Sequence, residues 1–515
     1  MASTVLWYDL ETFGLDPRHD RIAQFACVRT NEDLEEVDEP LNLYCKPPFD
    51  YLPSPESCKV HGISPQTAYE LGLSEYDFAL RLLAEFSRPG TTAAGYNSLQ
   101  FDEEFIRNLL YRNLFDPYER EYANGNSRWD IVNLGRAAHD LRPDGIVWPR
   151  DGEGKSLFRL EALAKANGLE HASAHDALSD IRASIAFARL VWEKQGKLYA
   201  WYYSHRRRES LKPLVDLPAG KMLLHTASEY TSTAGCTTIV APVGMDATNR
   251  SQLIAIDLRF DPAELLDLPV EEIRSRVFAR AGDRTSPRVP LSRIRLNHCP
   301  FLAPVSTLTK EAAERLGLDP ELCRERLALI HRNPGLAQKL TAVFEESLPP
   351  PPSDDPELCL YSGGFFPDKD RKKFSRLHDS IAAARGSAAA LAEVKESFKR
   401  IQFLDDRIPR LLGRLFARNF PESLSPSERL GWRENCLRRI QLPAAEGSAE
   451  LGDYNLLVER ELADPDMPAP QRAIVHALLD WKAQLEERLI DRQPDSARAD
   501  SGRSASDARG EPRYS

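Results

Sequence analysis

The sequence predicts a mixed α/β fold in its first part, a β-rich segment in the middle and a helical segment after it. Four early stretches have the apolar alternation and β-branched or aromatic residues that are typical of strands, at 5–10, 22–30, 41–46 and 91–97. Helical spacing of apolar residues is interleaved with them at 75–87, 102–113, 129–140, 159–167 and 174–193. This order fits a sheet with helices on both faces.

The rest of the chain differs in composition. Short strand-like runs such as 237–241 and 253–258 fall in a segment rich in Val, Thr and Pro, and helical spacing returns after residue 356. Four consecutive prolines begin at Pro349 and can neither continue a helix nor pair inside a sheet. We therefore expect the following units: a first domain at 1–196, a middle domain at 197–348, a stiff linker at 349–355, a helical domain at 356–490 and a disordered tail at 491–515.

Length and composition point to a soluble protein of several domains. A chain of 515 residues is too long for a single core and fits roughly three domains. No apolar run approaches the roughly 18 residues of a membrane span, and no signal peptide precedes the first strand, so we expect a cytoplasmic protein with no membrane partner. The eight cysteines form no Cys-x-x-Cys pair, which favours reduced, buried thiols over a zinc site.

Net charge is unevenly distributed. The whole chain carries a formal charge of −11, yet residues 201–440 hold 37 basic and 31 acidic side chains. A surface that follows phosphates is therefore expected in the middle of the chain.

Asp9 and Glu11 close the first predicted strand. Residues i and i+2 of a strand share a face, so both carboxylates point to one place. Like charges held this close repel each other unless a cation lies between them, and hard divalent metals prefer oxygen ligands. The pair alone is also compatible with an ordinary solvated strand end.

Three further polar residues lie at the starts of predicted helices. Asp102 falls between the strand at 91–97 and the helix that follows it. Asp180 is a polar position in the helix at 174–193, and His175 precedes it by five residues, which is about 140° around an ideal helix. Both can face one site only if His175 lies in the loop just before the helix.

These five residues, in this order, resemble the DEDD (DnaQ-like) exonuclease superfamily in its histidine subtype. The similarity is closer still to the bacterial exonuclease I family, as in the segments Tyr8-Asp-Leu-Glu-Thr-Phe-Gly14, Asn126-Ser-Arg-Trp-Asp130, Phe158-Arg-Leu-Glu161 and Leu296-Asn-His-Cys-Pro300. The resemblance implies an α/β fold with an RNase H-like (DnaQ-like) exonuclease domain, followed by an SH3-like β domain and an α-helical C-terminal domain.

The resemblance also implies a reaction. It is Mg²⁺-dependent 3′-to-5′ hydrolysis of single-stranded DNA to 5′-mononucleotides, in DNA repair and recombination. Two Mg²⁺ ions about 4 Å apart, with Mn²⁺ as a substitute, activate the water and stabilise the leaving oxygen. The implied metal ligands are Asp9, Glu11, Asp102 and Asp180. His175, whose ordinary pKa lies near neutrality, is the implied base.

Substrate and partner contacts are expected on arginines, tyrosines and one asparagine, because single strands need a basic groove and flat side chains for stacking. The expected DNA contacts are Glu11, Arg107, Tyr118, Tyr122, Arg136, Arg159, Arg208 and Asn297. Arg208 is the last residue of a basic run of three arginines, 206–208.

The family resemblance further implies docking of the acidic C-terminal tail of single-stranded-DNA-binding protein, with Arg142 for its terminal carboxylate and Trp201 or Leu302 as pocket walls. Pro304 stands where a polar side chain is expected. We expect a monomer.

Two other functions are compatible with the motifs. One is an RNA-trimming exoribonuclease of the same superfamily, although such proteins consist essentially of the nuclease domain alone. The other is a catalytically inactive protein that binds single-stranded nucleic acid, against which the five intact motif positions argue.

Overall fold

The fold is built on two five-stranded sheets and a set of helices, as seen in a computed structural model. The structure describes residues 3–169, 177–217, 220–279, 289–345, 353–441 and 451–489. The strands are β1 (Thr4–Thr12), β2 (Ile22–Thr30), β3 (Leu41–Tyr44), β4 (Thr91–Gly95), β5 (Ser127–Asp130), β6 (Leu223–Thr226), β7 (Thr237–Met245), β8 (Gln252–Asp257), β9 (Leu291–Arg295) and β10 (Phe301–Pro304).

The helices follow and separate these strands. Those before β6 are α1 (Pro55–His61), α2 (Pro65–Leu71), α3 (Glu75–Phe86), α4 (Asp102–Arg112), α5 (Val132–Leu141), α6 (Leu160–Asn167), α7 (Ala177–Ser204) and α8 (Arg208–Leu211). Those up to the proline run are α9 (Glu264–Asp267), α10 (Val270–Phe278), α11 (Lys310–Leu316), α12 (Pro320–Arg332) and α13 (Gly335–Glu345). The last group is α14 (Asp368–Ala384), α15 (Ala388–Lys399), α16 (Arg407–Asn419), α17 (Pro426–Gln441), α18 (Leu451–Leu462) and α19 (Ala469–Leu489).

The first sheet has the order β3-β2-β1-β4-β5. β1 pairs antiparallel with β2 and parallel with β4, so that β1 lies at the centre. Its side chains alternate between two cores: Val5 and Trp7 face one, and Leu6 and Tyr8 face the other. Helix α7 packs across β1 and β2. We call this sheet and its helices the first domain.

The second sheet, in the order β10-β6-β7-β8-β9, is antiparallel throughout. With α9 to α13 it forms the middle domain, and helices α14 to α19 form the helical domain. The last two domains both pack on the first. Trp129 and Phe187 share a core with Ile239 and Phe301 of the middle domain. Phe25 and Ile106 share another core with Ile381 and Leu412 of the helical domain.

A buried ionic network joins the first and helical domains. Arg418 contacts Asp50 and Glu357, each at 2.9 Å, and Arg439 contacts the same two carboxylates at 3.1 and 3.3 Å. Burial alone would raise the pKa of Asp50 and Glu357, but the two guanidinium groups outweigh it and hold both pKa values below their usual range. The network therefore needs ionised carboxylates.

The predicted elements correspond to the observed ones with one clear error. Residues 129 and 130, which the spacing assigns to a helix, belong to β5, and the helix α5 begins only at Val132. Helix α7 runs past the proposed boundary at 196/197 and has non-helical backbone angles at Gln195, one residue before that boundary. The tail at 491–515 and most of the proline-rich linker lie outside the described residues.

Two expectations from composition can be compared with the structure. All eight cysteines are free and buried, as predicted. Within the described ranges, none of the helices has both the length and the apolar character that a bilayer crossing requires.

Candidate active site

Strand β1 carries the first two carboxylates to the edge of the sheet. Asp9 and Glu11 pair with Ala26 and Gln24 of β2, and they continue the face on which Val5 and Trp7 are buried. This is the face over which α7 packs. The strand register therefore directs both carboxylates toward α7, as the i, i+2 spacing predicts.

Helix α7 supplies the third carboxylate in its first turn. Carboxylate oxygens of Asp9, Glu11 and Asp180 all lie within 4.8 Å of one another, a separation that one cation can span. Burial raises the pKa of Asp9 well above its usual range, and the charges of Asp102, Glu11 and Asp180 raise it further. Such mutual repulsion is what a bound divalent cation relieves, so the donor set fits a hard metal.

Asp102 approaches the same site from the start of α4. Its Oδ1 accepts a hydrogen bond from the backbone N–H of Leu10 at 3.0 Å, between the two carboxylates of β1. Burial raises the pKa of Asp102 to about 8, although this backbone N–H opposes the shift. His175, the predicted base, lies outside the described residues, and so does its neighbour Asp176.

Asp130 supports Asp102 and is not among the predicted site residues, although it ends the family-like segment Asn126-Ser-Arg-Trp-Asp130. Its carboxylate accepts hydrogen bonds from the backbone N–H groups of Asn97, Leu99 and Val132 at 2.8, 3.1 and 3.0 Å. Asn97 lies in the left-handed region at φ 64°. Asp130 thus fixes the loop between β4 and α4. This loop leads directly to Asp102, the first residue of α4. The signal in the sequence is an aspartate at the end of a strand, a position that the helical spacing at 129–140 obscures.

Arg107 has a different environment from the one expected. It is buried, and Glu121 binds its guanidinium at 2.7 and 3.0 Å while Glu104 binds it at 2.7 Å. Its guanidinium also lies 5.3 Å from the ring centre of Tyr118. Arg107 therefore packs against the ring of Tyr118 and helps to hold it in place. A direct contact between Arg107 and DNA stays a prediction.

Tyr118 and Tyr122 line a cleft of about 900 Å³ between the first and helical domains. On the opposite wall, Phe365 has 83% of its surface exposed and meets the ring of Tyr118 edge-on at 5.6 Å. Lys372 lines the same cleft. We call it the helical cleft.

A second cleft, of about 390 Å³, lies between the first and middle domains. Tyr122 lines it as well, and so do the predicted Arg208 and Asn297 together with Arg206 and Arg207. Arg206 stacks on Tyr203, with its guanidinium 3.9 Å from the ring centre. We call this the middle cleft. Tyr122 is 65% exposed and belongs to both clefts, so it connects the two walls.

The other two predicted DNA contacts lie outside these clefts' linings. Arg136, on α5, donates to Oδ1 of Asn133 at 2.8 Å and lies 5.9 Å from the ring centre of Phe158. Arg159 is exposed and immediately precedes α6. Their contacts with DNA stay predictions.

Arg142, the predicted partner contact, joins two domains. It donates to the carbonyl oxygens of Leu141 and Thr307 at 2.6 and 3.0 Å. Trp201 is partly exposed and donates to the carbonyl oxygen of Leu302. The side chain of Leu302, however, is 1% exposed, so its prediction as a pocket wall is wrong. It points into the core of the middle domain.

Three family models match the chain in succession. The model described as "Exonuclease" matches residues 6–188, "Exonuclease I SH3-like domain" matches residues 206–346, and "Exonuclease I C-terminal domain" matches residues 354–485. The predicted fold class, an RNase H-like exonuclease domain followed by an SH3-like and a helical domain, is thereby confirmed.

Curated relatives match over most of their length. The chain is 38% identical to exodeoxyribonuclease I of Escherichia coli over 479 residues, which are 92% of this chain and 97% of the relative. It is 40% identical to exodeoxyribonuclease I of Haemophilus influenzae over 86% of this chain and 92% of the relative.

Solved structures are equally similar. Exonuclease I from Methylocaldum szegediense superimposes with a TM-score of 0.87 at 41% identity, over 94% of this chain and all of that one. The zinc-bound complex of E. coli exonuclease I with single-stranded DNA has a TM-score of 0.85 at 36% identity, with the same coverage. A structure of SSB/exonuclease I in complex with the inhibitor CFAM has a TM-score of 0.82 at 36% identity, again with that coverage.

Proposed function

The chain belongs to the exonuclease I family, and from this premise we propose that it degrades single-stranded DNA from the 3′ end with two Mg²⁺ ions. The observation that carries the metal assignment is the carboxylate cluster at the end of β1. Oxygens of Asp9, Glu11 and Asp180 lie within 4.8 Å of one another, and Asp102 accepts a hydrogen bond from the backbone N–H of Leu10, between Asp9 and Glu11. Mn²⁺, with similar oxygen preference, is an expected substitute.

The four carboxylates are assigned different roles in metal and substrate binding. Asp9 has oxygens within 4.8 Å of those of Glu11 and Asp180, and Asp102 binds the N–H of Leu10, the residue next to Asp9, so Asp9 would be the ligand that two ions share. Asp102 and Asp180 would complete the ligands of the two ions, and Glu11 would both bind metal and contact the terminal 3′-hydroxyl. When bound, two divalent ions supply an activated water and neutralise the departing oxygen.

His175 is assigned as the base that removes the proton from the attacking water. The new bond joins this oxygen to phosphorus, and the bond from phosphorus to the 3′ oxygen of the preceding nucleotide breaks. The products are a 5′-mononucleotide and a strand shortened by one residue. Imidazole titrates near neutral pH, which suits it to this proton transfer.

The two clefts are assigned to the strand. Arg206, Arg207 and Arg208 give the middle cleft the positive charge that phosphates require, and Asn297 adds a polar edge. Tyr118, Tyr122 and Phe365 offer ring faces for stacked bases. Arg136 and Arg159 are assigned to nucleotides near the 3′ end, beside α5 and α6.

A protein partner is proposed at Arg142. One solved relative is a complex of SSB and exonuclease I, which supports a dock for the acidic tail of single-stranded-DNA-binding protein. Arg142 is partly exposed at the seam between the first and middle domains. The guanidinium suits the terminal carboxylate of such a tail, and Trp201 is the remaining candidate for the pocket wall.

The cellular assignment follows from the substrate. The eight free cysteines suit the protein to the reducing cytoplasm. Activity on single-stranded DNA suits it to DNA repair and recombination. The two alternative functions lose support, because the similarity to exonuclease I extends over three domains and over 92% of the chain.

The test compares catalytic variants on two substrates. The purified protein with Mg²⁺ should release mononucleotides from single-stranded DNA much faster than from RNA of the same sequence. Asp9→Ala should lose this activity by orders of magnitude, since it removes the shared ligand. His175→Ala should keep metal binding and slow the single-turnover rate roughly 100-fold at neutral pH. A variant Asp9→Ala that digests DNA at the wild-type rate would refute the metal assignment.

A further inference from the structure

The first turn of α4 contains three consecutive acidic residues that serve three different parts of the molecule. Asp102 accepts a hydrogen bond from the backbone N–H of Leu10, which lies between the carboxylates of Asp9 and Glu11. Glu103 is completely buried and points to a group of arginines at the border with the middle domain. Glu104 accepts hydrogen bonds from Arg107 at 2.7 Å and from the Tyr361 hydroxyl of the helical domain at 2.5 Å. The position of this turn is therefore determined from three sides.

Glu103 is held by a dense set of donors. Arg120 binds both of its carboxylate oxygens, at 3.1 and 2.7 Å, and Arg128 approaches at 3.4 Å. The hydroxyl of Tyr8, the residue before Asp9, donates to Glu103 at 2.7 Å. The Glu103 carboxylate thus ties the start of α4 to β1 at the residue next to the shared metal ligand.

Arg128 extends this set of contacts into the middle domain. It lies on β5, is 7% exposed, and donates to the main-chain carbonyl of Asn297 at 2.8 Å. The same guanidinium binds Glu121 at 2.9 Å as well as Glu103. Arg128 therefore contacts both the middle domain and the residue adjacent to Asp102.

We propose that Arg128 is a positioning residue for hydrolysis: by joining the carbonyl of Asn297 to Glu103, it sets the first turn of α4, and with it Asp102, against β1. The inference rests on the proposed role of Asp102 as a metal ligand. Mutation of a residue that orients a metal ligand typically lowers metal affinity or activity by roughly 10- to 100-fold.

The experiment uses the full chain with Arg128→Gln and Arg128→Lys. Arg128→Gln should lower kcat on single-stranded DNA roughly tenfold with little change in KM, and should weaken Mn²⁺ binding, followed by electron paramagnetic resonance of free Mn²⁺, by a similar factor. Arg128→Lys keeps a positive charge opposite Glu103 and should recover part of both quantities. It also carries the test if Arg128→Gln does not fold.

A matched control lies at the same domain border. Arg315 of the middle domain donates to the main-chain carbonyl of Asp140 at 2.6 Å, and Asp140 lies on α5 instead of α4. Arg315→Gln should therefore keep the wild-type kcat and Mn²⁺ affinity, which separates alignment of Asp102 from general loosening of the border.

Three outcomes would overturn the proposal. Unchanged kcat and Mn²⁺ affinity in Arg128→Gln would remove its positioning role. A raised KM and weaker DNA binding without any change in Mn²⁺ binding would make Arg128 a DNA contact of the middle cleft instead. Both results leave the metal assignment intact, whereas a wild-type protein that binds no Mn²⁺ would refute that assignment and this proposal together.

Discussion

The carboxylate of Asp102 is fastened to the backbone N–H of Leu10 by a hydrogen bond of 3.0 Å. Leu10 lies between the two carboxylates of β1, so this bond fixes the start of α4 beside the strand end that carries them. One Asp102 oxygen is used for this purpose. The side chain therefore has both a structural function, through the bond, and a chemical one, through its charge.

Asp102→Asn separates these two functions. The amide oxygen can still accept the Leu10 hydrogen bond, so the melting temperature should stay near that of the wild type. The loss of the negative charge removes a metal ligand. Loss of a residue that only orients a ligand can cost roughly 100-fold, so the single-turnover rate of hydrolysis should fall by at least that factor. A variant with near-wild-type hydrolysis would show that Asp102 serves only to hold α4.

Tyr122→Ala tests the assignment of the clefts to DNA. Tyr122 is 65% exposed and lines both clefts, and base stacking on an aromatic ring contributes about 1–3 kcal/mol per base. Affinity for a 20-nucleotide strand, measured by fluorescence anisotropy with Ca²⁺ in place of Mg²⁺, should fall roughly tenfold. Phe260→Ala, at a residue 54% exposed and outside both clefts' linings, is the control. Equal affinities for both variants would place the strand elsewhere.

Arg142→Ala tests the proposed partner site. A labelled peptide with the acidic tail of single-stranded-DNA-binding protein should bind the wild type and should bind the variant more weakly, because its terminal carboxylate loses the guanidinium. Arg88→Ala removes another partly exposed arginine of the first domain, 45% exposed, and should leave binding unchanged. Since Arg142 also donates to Thr307, the melting temperature of each variant must be measured alongside. Tail binding that is identical in Arg142→Ala and the wild type would contradict the assignment.

Acid should weaken the joint between the first and helical domains. The pKa values of Asp50 and Glu357 are below their usual range in the folded protein, so their contribution to stability is complete above the unfolded values and is lost as pH falls toward the folded ones. The melting temperature should therefore be nearly constant from neutrality to about pH 5 and should drop below about pH 4.

Glu357→Gln should remove part of this acid dependence. It leaves Arg418 and Arg439 with a neutral partner in a buried place, which is expected to cost about 3–5 kcal/mol at neutral pH. Asp368→Asn, at an exposed ion pair with Arg371, should change neither the neutral melting temperature nor its pH profile. A Glu357→Gln variant with the wild-type profile would show that the network does not govern acid unfolding.

The sequence predicted what short-range geometry determines. Asp9 and Glu11 share a face because strand residues alternate, and the structure brings both together with Asp180. The error at β5 also has a local cause: Ser127 to Asp130 is a four-residue strand with no apolar alternation, and it runs into the helical pattern of α5. Periodicity favours the longer element in such a case.

The buried charges could not be predicted in the same way. Arg107, Arg128 and Arg418 are polar residues on helices or strands, which sequence patterns place at the surface. Each side chain is buried beside a carboxylate from another element, as Arg107 is beside Glu121 and Arg418 is beside Glu357. Partners so far apart leave no periodic signal in the sequence.

The shared cores affect when the enzyme becomes active during its synthesis. Phe25 and Ile106 of the first domain are covered by Ile381 and Leu412, and the core around Phe13 is closed by Trp481 of α19. The roughly 300 residues from Asp180 to Trp481 take about 15–60 s to translate at about 5–20 residues per second. We therefore expect a nascent chain to carry all of its catalytic residues well before it can hold them in place, so that the ribosome releases a nuclease only when translation is complete.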